Sequence, residues 1–136
     1  MSTDSLWGEL PNLDTTRTPR RILVEQGAQL AAQTGHLVEA EVTTVEVPWT
    51  ATGNVAYSFA LLVPSLGNYR YDLFVVSHDK ISIYPATVYV ADDMKGLVSR
   101  DESEFKAVLA KVFQSDRTRK ALTSLLLQAT EVAQGY

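Results

Sequence analysis

The fold is decided by a hairpin pattern in residues 55–76, which read VAYSFALLVPSLGNYRYDLFVV. Apolar side chains alternate with small or polar ones on both sides of residues 64–68, as expected of two strands that each bury one face. The connecting residues include proline, glycine and asparagine, which are typical of a turn. We therefore predict two antiparallel strands joined by this turn.

One face of this hairpin is the predicted core. It is formed by four cross-strand pairs, which are Val63 with Tyr69, Leu61 with Tyr71, Phe59 with Leu73 and Tyr57 with Val75. The opposite face would carry Leu62, Phe74 and Val76 beside Arg70 and Asp72, so it would be polar near the turn and apolar at the far end. Such a half-apolar face predicts a cover, which is a second subunit, a client chain or one of the chain's own helices.

The residues before the hairpin predict one helix and one strand. Thr18 can cap a helix that starts at Pro19, because its hydroxyl accepts hydrogen bonds from free amides and proline suits the first helical position. This helix is predicted over residues 19–34 and ends at Gly35. An alternating pattern follows from Leu37 and changes phase at residues 43 and 44, which predicts a strand with a β-bulge.

A fourth strand is predicted over residues 81–90, with an interruption at Pro85. Its register depends on whether the preceding turn has two or three residues, since a slip of one residue moves every side chain to the other face. We favour three residues, because two-residue hairpins prefer Asn-Gly types, and this places Ile81 and Ile83 on the main core face. Residues 91–98 are predicted to form a loop.

Two helices are predicted after the strands. Residues 99–102 form a capping box, and the apolar residues from Phe105 to Val112 follow with helical spacing. Ser115 marks the start of a last helix, which ends at about Ala133.

The chain is therefore predicted to be an α+β domain with the order α-β-β-β-β-α-α, which is an N-terminal helix, a four-stranded antiparallel meander and two C-terminal helices. This order resembles the cystatin-like arrangement, in which a curved sheet wraps around a helix, and the resemblance covers only the order of elements. Residues 19–136 are predicted to form one domain. Residues 1–18 form a tail that is expected to dock, because it is rich in leucine and contains Trp7.

Composition restricts the classes of function. The 136 residues include no cysteine, which excludes disulfides and thiol chemistry, and no apolar run is long enough to span a membrane. Twelve basic against sixteen acidic residues give a net charge of -4, which disfavours general binding to nucleic acid. The first ten residues do not resemble a secretory signal, so we expect a cytoplasmic protein.

Candidate catalytic and metal-binding residues are few. His36 and His78 are predicted at solvated turns, and no strained serine turn accompanies either of them. The acids at positions 92–93 and 101–102 lack the spacing of a calcium loop, and helix capping explains the second pair. We therefore expect no catalytic residue, no cofactor and no metal.

Arg17, Arg20 and Arg21 form a candidate anion site, since two of them lie in the first helical turn, where positive charge opposes the helix dipole. Guanidinium groups and free amides would there hold a phosphate or a carboxylate of a partner. The alternative, which we favour, is local neutralisation by Asp14 and Glu25.

A second basic group, Arg117, Arg119 and Lys120, occupies the first turn of the last predicted helix. Ordinary solvated helix surface is the favoured interpretation, although the repeated pattern also suits an acidic partner. Binding to nucleic acid would require both basic groups to converge on one surface.

Trp49 in a connection and Trp7 in the tail are candidate partner-binding residues, because loops carry recognition and tryptophan is enriched in binding hot spots. The alternative is that each covers an edge of the core. We expect a cytoplasmic protein-binding or adaptor module without catalytic activity, in which self-association as a homodimer is one option. The alternative function is a small-ligand binder or enzyme with a pocket between sheet and helices, lined by Tyr57, Tyr71 and Tyr84.

Overall fold

The computed structural model describes residues 5–13, 16–47, 53–90 and 93–135, and of residues 93 and 94 the backbone alone. The elements in chain order are α1 (Pro19–Gln33), β1 (Glu39–Val45), β2 (Asn54–Val63), a short 3-10 turn (Pro64–Leu66), β3 (Tyr69–Asp79), β4 (Ala86–Val90), β5 (Asp93–Ser99), α2 (Glu102–Phe113) and α3 (Asp116–Ala133). The strands form one antiparallel sheet in the order β1-β2-β3-β4-β5. The predicted α+β class and order of elements are confirmed, but the meander has five strands where four were expected.

The helices begin at side-chain caps. Thr18 and Ser115, as predicted, each accept a hydrogen bond from the amide three residues ahead, at 3.2 and 3.4 Å. The cap of α2 differs from the predicted one, because Ser99 is the last residue of β5. Asp101 takes this role and accepts a hydrogen bond from the amide of Glu104 at 2.8 Å.

The predicted hairpin pairing holds near the turn and fails further along. The two pairs that form as expected are Val63 with Tyr69 and Leu61 with Tyr71. The register then shifts between Phe59 and Ala60, so that Phe59 pairs with Phe74 instead of Leu73. Strand β3 therefore contains one extra residue, a β-bulge, and every pair beyond it is displaced by one position.

This bulge corrects the predicted second face of the sheet. Phe74 and Val76 were expected there, but both are buried beneath the helices. The ring of Phe74 stacks on Phe59 at 5.1 Å and lies 5.8 Å from Phe113 of α2. The chain's own helix thus covers the residues for which a second subunit had been one predicted cover.

Strand β1 pairs with β2 in continuous register from Glu39 to Val45, so the bulge predicted in this strand is wrong. Ala40 and Val42 face the helices, whereas Val45 lies opposite Ala56 on the other face. The change of phase in the sequence reflects a strand that carries apolar residues on both of its faces.

The predicted register of the fourth strand is also wrong. Asp79 ends β3, and its carboxylate accepts hydrogen bonds from the amides of Ile81 at 2.7 Å and Ser82 at 3.2 Å. This short-range turn leaves Ile81 exposed and ahead of the strand. Strand β4 begins only at Ala86.

Strand β5 occupies residues where a loop was predicted. It pairs Leu97 with Val88 and Ser99 with Ala86 at the edge of the sheet. Gly96 has a positive φ of 73°, and a Cβ atom there would lie 2.6 Å from the methyl group of Thr87. Glycine is thus required where the sequence lacks an alternating side chain, which explains why the strand escaped prediction.

All three helices pack on the same side of the sheet, which we call the helix face, and the opposite side is the second face. Helix α1 packs closely on β1. A Cβ atom on Gly27 would lie only 2.9 Å from the Cβ of Ala40. The buried core consists of Ile22, Leu23, Val38, Phe59, Leu61, Val63, Leu73, Phe74, Val76, Ala86, Val88, Phe105, Leu109, Val112, Leu125 and Ala129. Within the described ranges, no helix combines the length and the apolar character that crossing a membrane requires.

Candidate binding cleft

One carboxylate compensates positive charge at the predicted anion site near the start of α1. Glu25 accepts contacts from the guanidinium groups of Arg17 and Arg21, at 3.1 and 3.2 Å. Arg20 is exposed, and among the described residues it has no ion pair. The structure thus brings two of the three arginines together around Glu25, as the alternative of local neutralisation predicts.

The backbone of Arg17 is held on both sides. Its amide donates a hydrogen bond to Oε1 of Glu102 at 2.8 Å, and its carbonyl accepts one from the Tyr84 hydroxyl at 3.1 Å. This amide and Lys106 lower the pKa of Glu102, whereas burial, with the nearby charges of Glu102 and Asp101, raises the pKa of Tyr84 to about 12. The tail is therefore anchored at Arg17, beside the N-terminal end of α2.

Residues 5–13 of the tail are exposed. The exposed fractions are 97% for Leu6, 83% for Trp7, 70% for Leu10 and 88% for Leu13. Docking of the tail and the binding role of Trp7 stay predictions. Trp49 and Asp14 lie outside the described residues, and the predictions that involve them stay open as well.

A cleft of about 220 Å³ lies on the helix face between α1 and the beginning of α3, and we call it the α1–α3 cleft. The sheet contributes Phe59, Leu61 and Leu73 to its lining, and α2 contributes Phe113. The rings of Phe113 and Phe59 lie 5.4 Å apart. The base of the cleft is therefore apolar and is continuous with the core.

The rim of the cleft is polar and nearly uncharged. Helix α1 contributes Gln26, Gln29 and Gln33, the end of α2 contributes Gln114, and α3 contributes the exposed Arg119. Each glutamine amide can donate and accept hydrogen bonds, and the guanidinium of Arg119 only donates them. An apolar base within such a rim suits a ligand that has an apolar side chain and a hydrogen-bonding backbone.

Few of the 18 residues of helix α3 are buried. Thr118, Leu125 and Ala129 are buried, whereas Leu127 is 62% exposed. A second recess of about 340 Å³ lies along α3, between Tyr71 of β3 and residues that include Leu125. The surface of α3 thus exposes apolar groups beyond the cleft.

The second basic group separates at the start of α3. The guanidinium of Arg117 lies 5.8 Å from the centre of the Tyr71 ring, a cation–π contact. Arg119 lines the cleft, and the next residue, Lys120, is exposed. Arg20 and Arg21 lie in the first turn of α1. The cleft, and Arg119 with it, borders the other half of that helix, from Gln26 onward.

The two histidines differ from each other. His36 is exposed after α1, and its Nδ1 lies 3.5 Å from Oε1 of Glu39. His78 was expected in a solvated turn, but it lies within β3 and is buried, with Nδ1 2.8 Å from the carbonyl oxygen of Asp79. The difference arises because β3 continues to Asp79, so that His78 lies in the strand, and because the bulge places His78 on the same face as Phe74 and Val76.

The second face of the sheet is acidic at the end near the hairpin turn. Arg70 there contacts Glu41 and Asp72, both at 3.2 Å, and its guanidinium donates a hydrogen bond to Thr43. Small buried residues such as Ala60 occupy the middle of this face. The polar end of the predicted face is thus confirmed, although its apolar end contains different residues from those expected.

Sequence reasoning missed the glutamines of the cleft. Gln26, Gln29 and Gln33 follow one another at helical spacings of three and four, directly beside the apolar stripe of α1. This spacing was available as a signal of a polar strip on one side of the helix. The polar residues at the start of α3 that complete the rim can be recognised only in the structure, where α1 and α3 lie on either side of the cleft.

Comparisons with models of protein families, with curated proteins and with solved structures found no match. The resemblance of the element order to cystatin-like proteins therefore stays a prediction. The function of the cleft has to be argued from its own residues.

Proposed function

We propose that this protein is a cytoplasmic, non-catalytic binding module whose α1–α3 cleft holds an apolar side chain from an extended segment of a protein. The observation that carries the proposal is the apolar base of the cleft within a rim of amides. Glutamines such as Gln29 can pair with both the N–H and the C=O groups of a peptide backbone. The cytoplasmic location is part of this proposal, and a sequence without cysteine is compatible with it.

The size of the cleft favours a side chain over a free small molecule. Pockets that enclose drug-sized ligands measure roughly 300–1,000 Å³, whereas the α1–α3 cleft measures about 220 Å³. A small molecule would leave much of its surface in water. A peptide can insert one side chain and place its remaining contacts along the rim and α3.

The exposed side of α3 supports the same proposal. Leu127 projects from this helix beyond the cleft, and Leu66 and Tyr69 line the recess along it. A segment of several residues could therefore continue from the cleft along α3, as in complexes where a few anchor side chains carry most of the affinity.

The second candidate function is binding of a small anionic ligand. Arg119 beside Gln114 offers a charged donor and an amide to a carboxylate. The described lining of the cleft includes none of Tyr57, Tyr71 and Tyr84, which were predicted to line a pocket between sheet and helices, whereas Tyr71 lines the second recess along α3. The peptide is therefore the better supported ligand.

A selection of random displayed peptides on the immobilised full-length protein tests the proposal. We expect enrichment of peptides with a large apolar side chain, and loss of more than about tenfold in affinity for the Leu122→Glu variant, which places a charge in the cleft. Ile81→Glu places the same charge at an exposed apolar residue outside the cleft and outside α3, and it should bind these peptides as well as the unchanged protein does.

A second variant guards against misfolding of Leu122→Glu, because Leu122 is half-buried. Arg119 is exposed, so Arg119→Glu should keep the circular dichroism and unfolding midpoint of the unchanged protein while it alters which peptides bind. Equal binding to the Leu122→Glu and Ile81→Glu variants would contradict the proposal. Failure of all peptides, combined with thermal stabilisation by a small carboxylate that Arg119→Glu abolishes, would support the second candidate instead.

A further inference from the structure

We propose that the N-terminal segment of a second copy of this chain occupies the α1–α3 cleft, with Trp7 in the apolar base and Glu9 beside Arg119, so that two copies form a reciprocal homodimer. This inference rests on the proposed function of the cleft and names its ligand. Each copy would give one segment and receive one, as a two-fold symmetric dimer requires.

The described tail contains an unusual group of exposed apolar side chains. Four large ones, Leu6, Trp7, Leu10 and Leu13, occur within eight positions, and each is at least 70% exposed. Scattered exposed leucines are common on soluble proteins, but a group that includes a tryptophan marks an interaction segment. The tail therefore has the composition of a ligand for an apolar recess.

Charge distinguishes the cleft from the second face of the sheet as the docking surface. Residues 5–13 carry a single charged side chain, Glu9. Arg119 lines the cleft and Lys120 follows it, so this rim attracts a carboxylate. The second face presents Glu41 and Asp72 near the hairpin turn, with Arg70 already engaged by both. The acidic tail thus matches the cleft.

The dimensions suit a tryptophan as the anchor. The volume of about 220 Å³ lies below the roughly 300–1,000 Å³ of pockets that enclose a whole drug-sized ligand. This is room for one large side chain, and Trp7 is the largest in the described tail. Tryptophan is also the residue most enriched in binding hot spots.

The anchored position of Arg17 favours a second copy over the chain's own tail. Arg17 is held at the N-terminal end of α1, whereas the cleft borders Gln26 to Gln33 in the other half of that helix. A tail that filled its own cleft would have to reverse after Arg17 and return along α1, whose 15 residues span about 22 Å. In this single chain the tail does not do so, because Trp7 remains 83% exposed.

Sedimentation equilibrium of the full chain tests the inference. We expect a homodimer whose dissociation constant rises more than about tenfold in Trp7→Ser. Ile81→Ser is the matched control, because Ile81 is an exposed apolar residue outside the tail and the cleft. Both positions are exposed, so neither variant should change the fold.

A charge reversal tests the predicted placement of Glu9 beside Arg119. Glu9→Lys and Arg119→Glu should each weaken the dimer by about threefold, as expected for an exposed pair. The double variant restores the attraction with opposite signs, and we expect its dissociation constant to return toward that of the unchanged protein. No recovery in the double variant would overturn this placement.

The other outcomes separate the two proposals. A monomer at all concentrations, or a dimer that Trp7→Ser leaves unchanged, overturns the inference even if selected peptides still bind the cleft. A monomer whose affinity for those peptides rises in Trp7→Ser would mean that the tail covers its own cleft, and it also overturns the second-copy assignment. Loss of the cleft itself as a binding site would appear as peptide binding that Leu122→Glu does not affect.

Discussion

Over β4 and β5 the helix layer is closed, whereas over β2 and β3 it opens into the α1–α3 cleft. On the closed side Phe105 of α2 is fully buried, and its ring meets the edge of Tyr84 with 6.2 Å between ring centres. On the cleft side, the described residues at the rim are glutamines and Arg119, and Leu122 of α3 is only half-buried.

Under the proposed function, this difference separates the contacts that hold the domain together from the surface that binds a partner. Aromatic residues close the first side by contacts within the chain. On the other side α1 packs mainly on β1, and α3 leaves Leu127 exposed. We therefore expect substitutions on the closed side to change stability and substitutions around the cleft to change binding.

The largest expected effect is on the closed side. Phe105→Ala should lower the free energy of unfolding by about 3–5 kcal/mol, because it removes a fully buried ring from the core. Leu122→Ala, on the cleft side, should cost less than about 2 kcal/mol because its side chain is half-buried. Urea unfolding of both variants measures the difference. Equal losses would show that the cleft side is as tightly packed as the closed side.

The next effect concerns the packing of α1 on β1, because α1 forms one wall of the cleft. Gly27→Ala should destabilise the protein by about 1 kcal/mol, because overpacking costs about 1–3 kcal/mol and the gain in helix propensity returns up to about 1 kcal/mol. The new methyl group would lie 2.9 Å from the Cβ of Ala40. Adding Ala40→Gly should recover most of the loss, measured as a double-mutant cycle by chemical unfolding. Stabilisation by Gly27→Ala alone would show that α1 can move away from the sheet.

A smaller effect is expected where the tail meets the closed side. Tyr84→Phe removes the hydrogen bond to the carbonyl of Arg17 and should cost about 1 kcal/mol near neutral pH. The pKa of Tyr84 is raised from 10.0 to about 12, so the folded state binds this proton more tightly than the unfolded state does. The contribution is full below pH 10 and is lost as the pH rises toward 12. Unfolding midpoints across this range should therefore fall less in Tyr84→Phe, and parallel declines would contradict the assignment.

The smallest effect on stability is expected at the rim of the cleft. Arg119→Gln should stay within about 0.5 kcal/mol of the unchanged protein in thermal unfolding, because the side chain is exposed. The same variant should weaken binding of acidic peptides by about threefold, measured by titration calorimetry. A destabilisation larger than that of Tyr84→Phe would place Arg119 among the structural residues and remove it from the binding surface.

The sequence predicted the core of the hairpin because its first strand alternates without interruption. Phe59, Leu61 and Leu73 are buried as expected. The second strand misled the prediction, because residues 73–76 are four apolar residues in succession and such a run has no phase. Only the pairing partner across the sheet reveals that Leu73 and Phe74 both face the helices.

The candidate site was predictable only in part. Arg119 attracted attention because a basic residue in a first helical turn opposes the dipole. The glutamines gave no such signal, since Gln29 on an exposed helix surface is ordinary in a sequence. The cleft arises from the distance between two helices that are far apart along the chain, and no local pattern encodes that distance.

The bulge in β3 has a consequence for how this chain can vary. Because Leu73 is the extra residue, its removal would leave Asp72 opposite Ala60 and Phe74 opposite Phe59, so that Val76 and His78 keep their face of the sheet. Removal of a single position between Phe74 and His78 would instead turn the residues beyond it to the other face. Substitution by another apolar residue would keep the orientation of everything that follows. We therefore expect the loss of one position at the bulge to disturb the orientation of the sheet residues less than the loss of one position between Phe74 and His78.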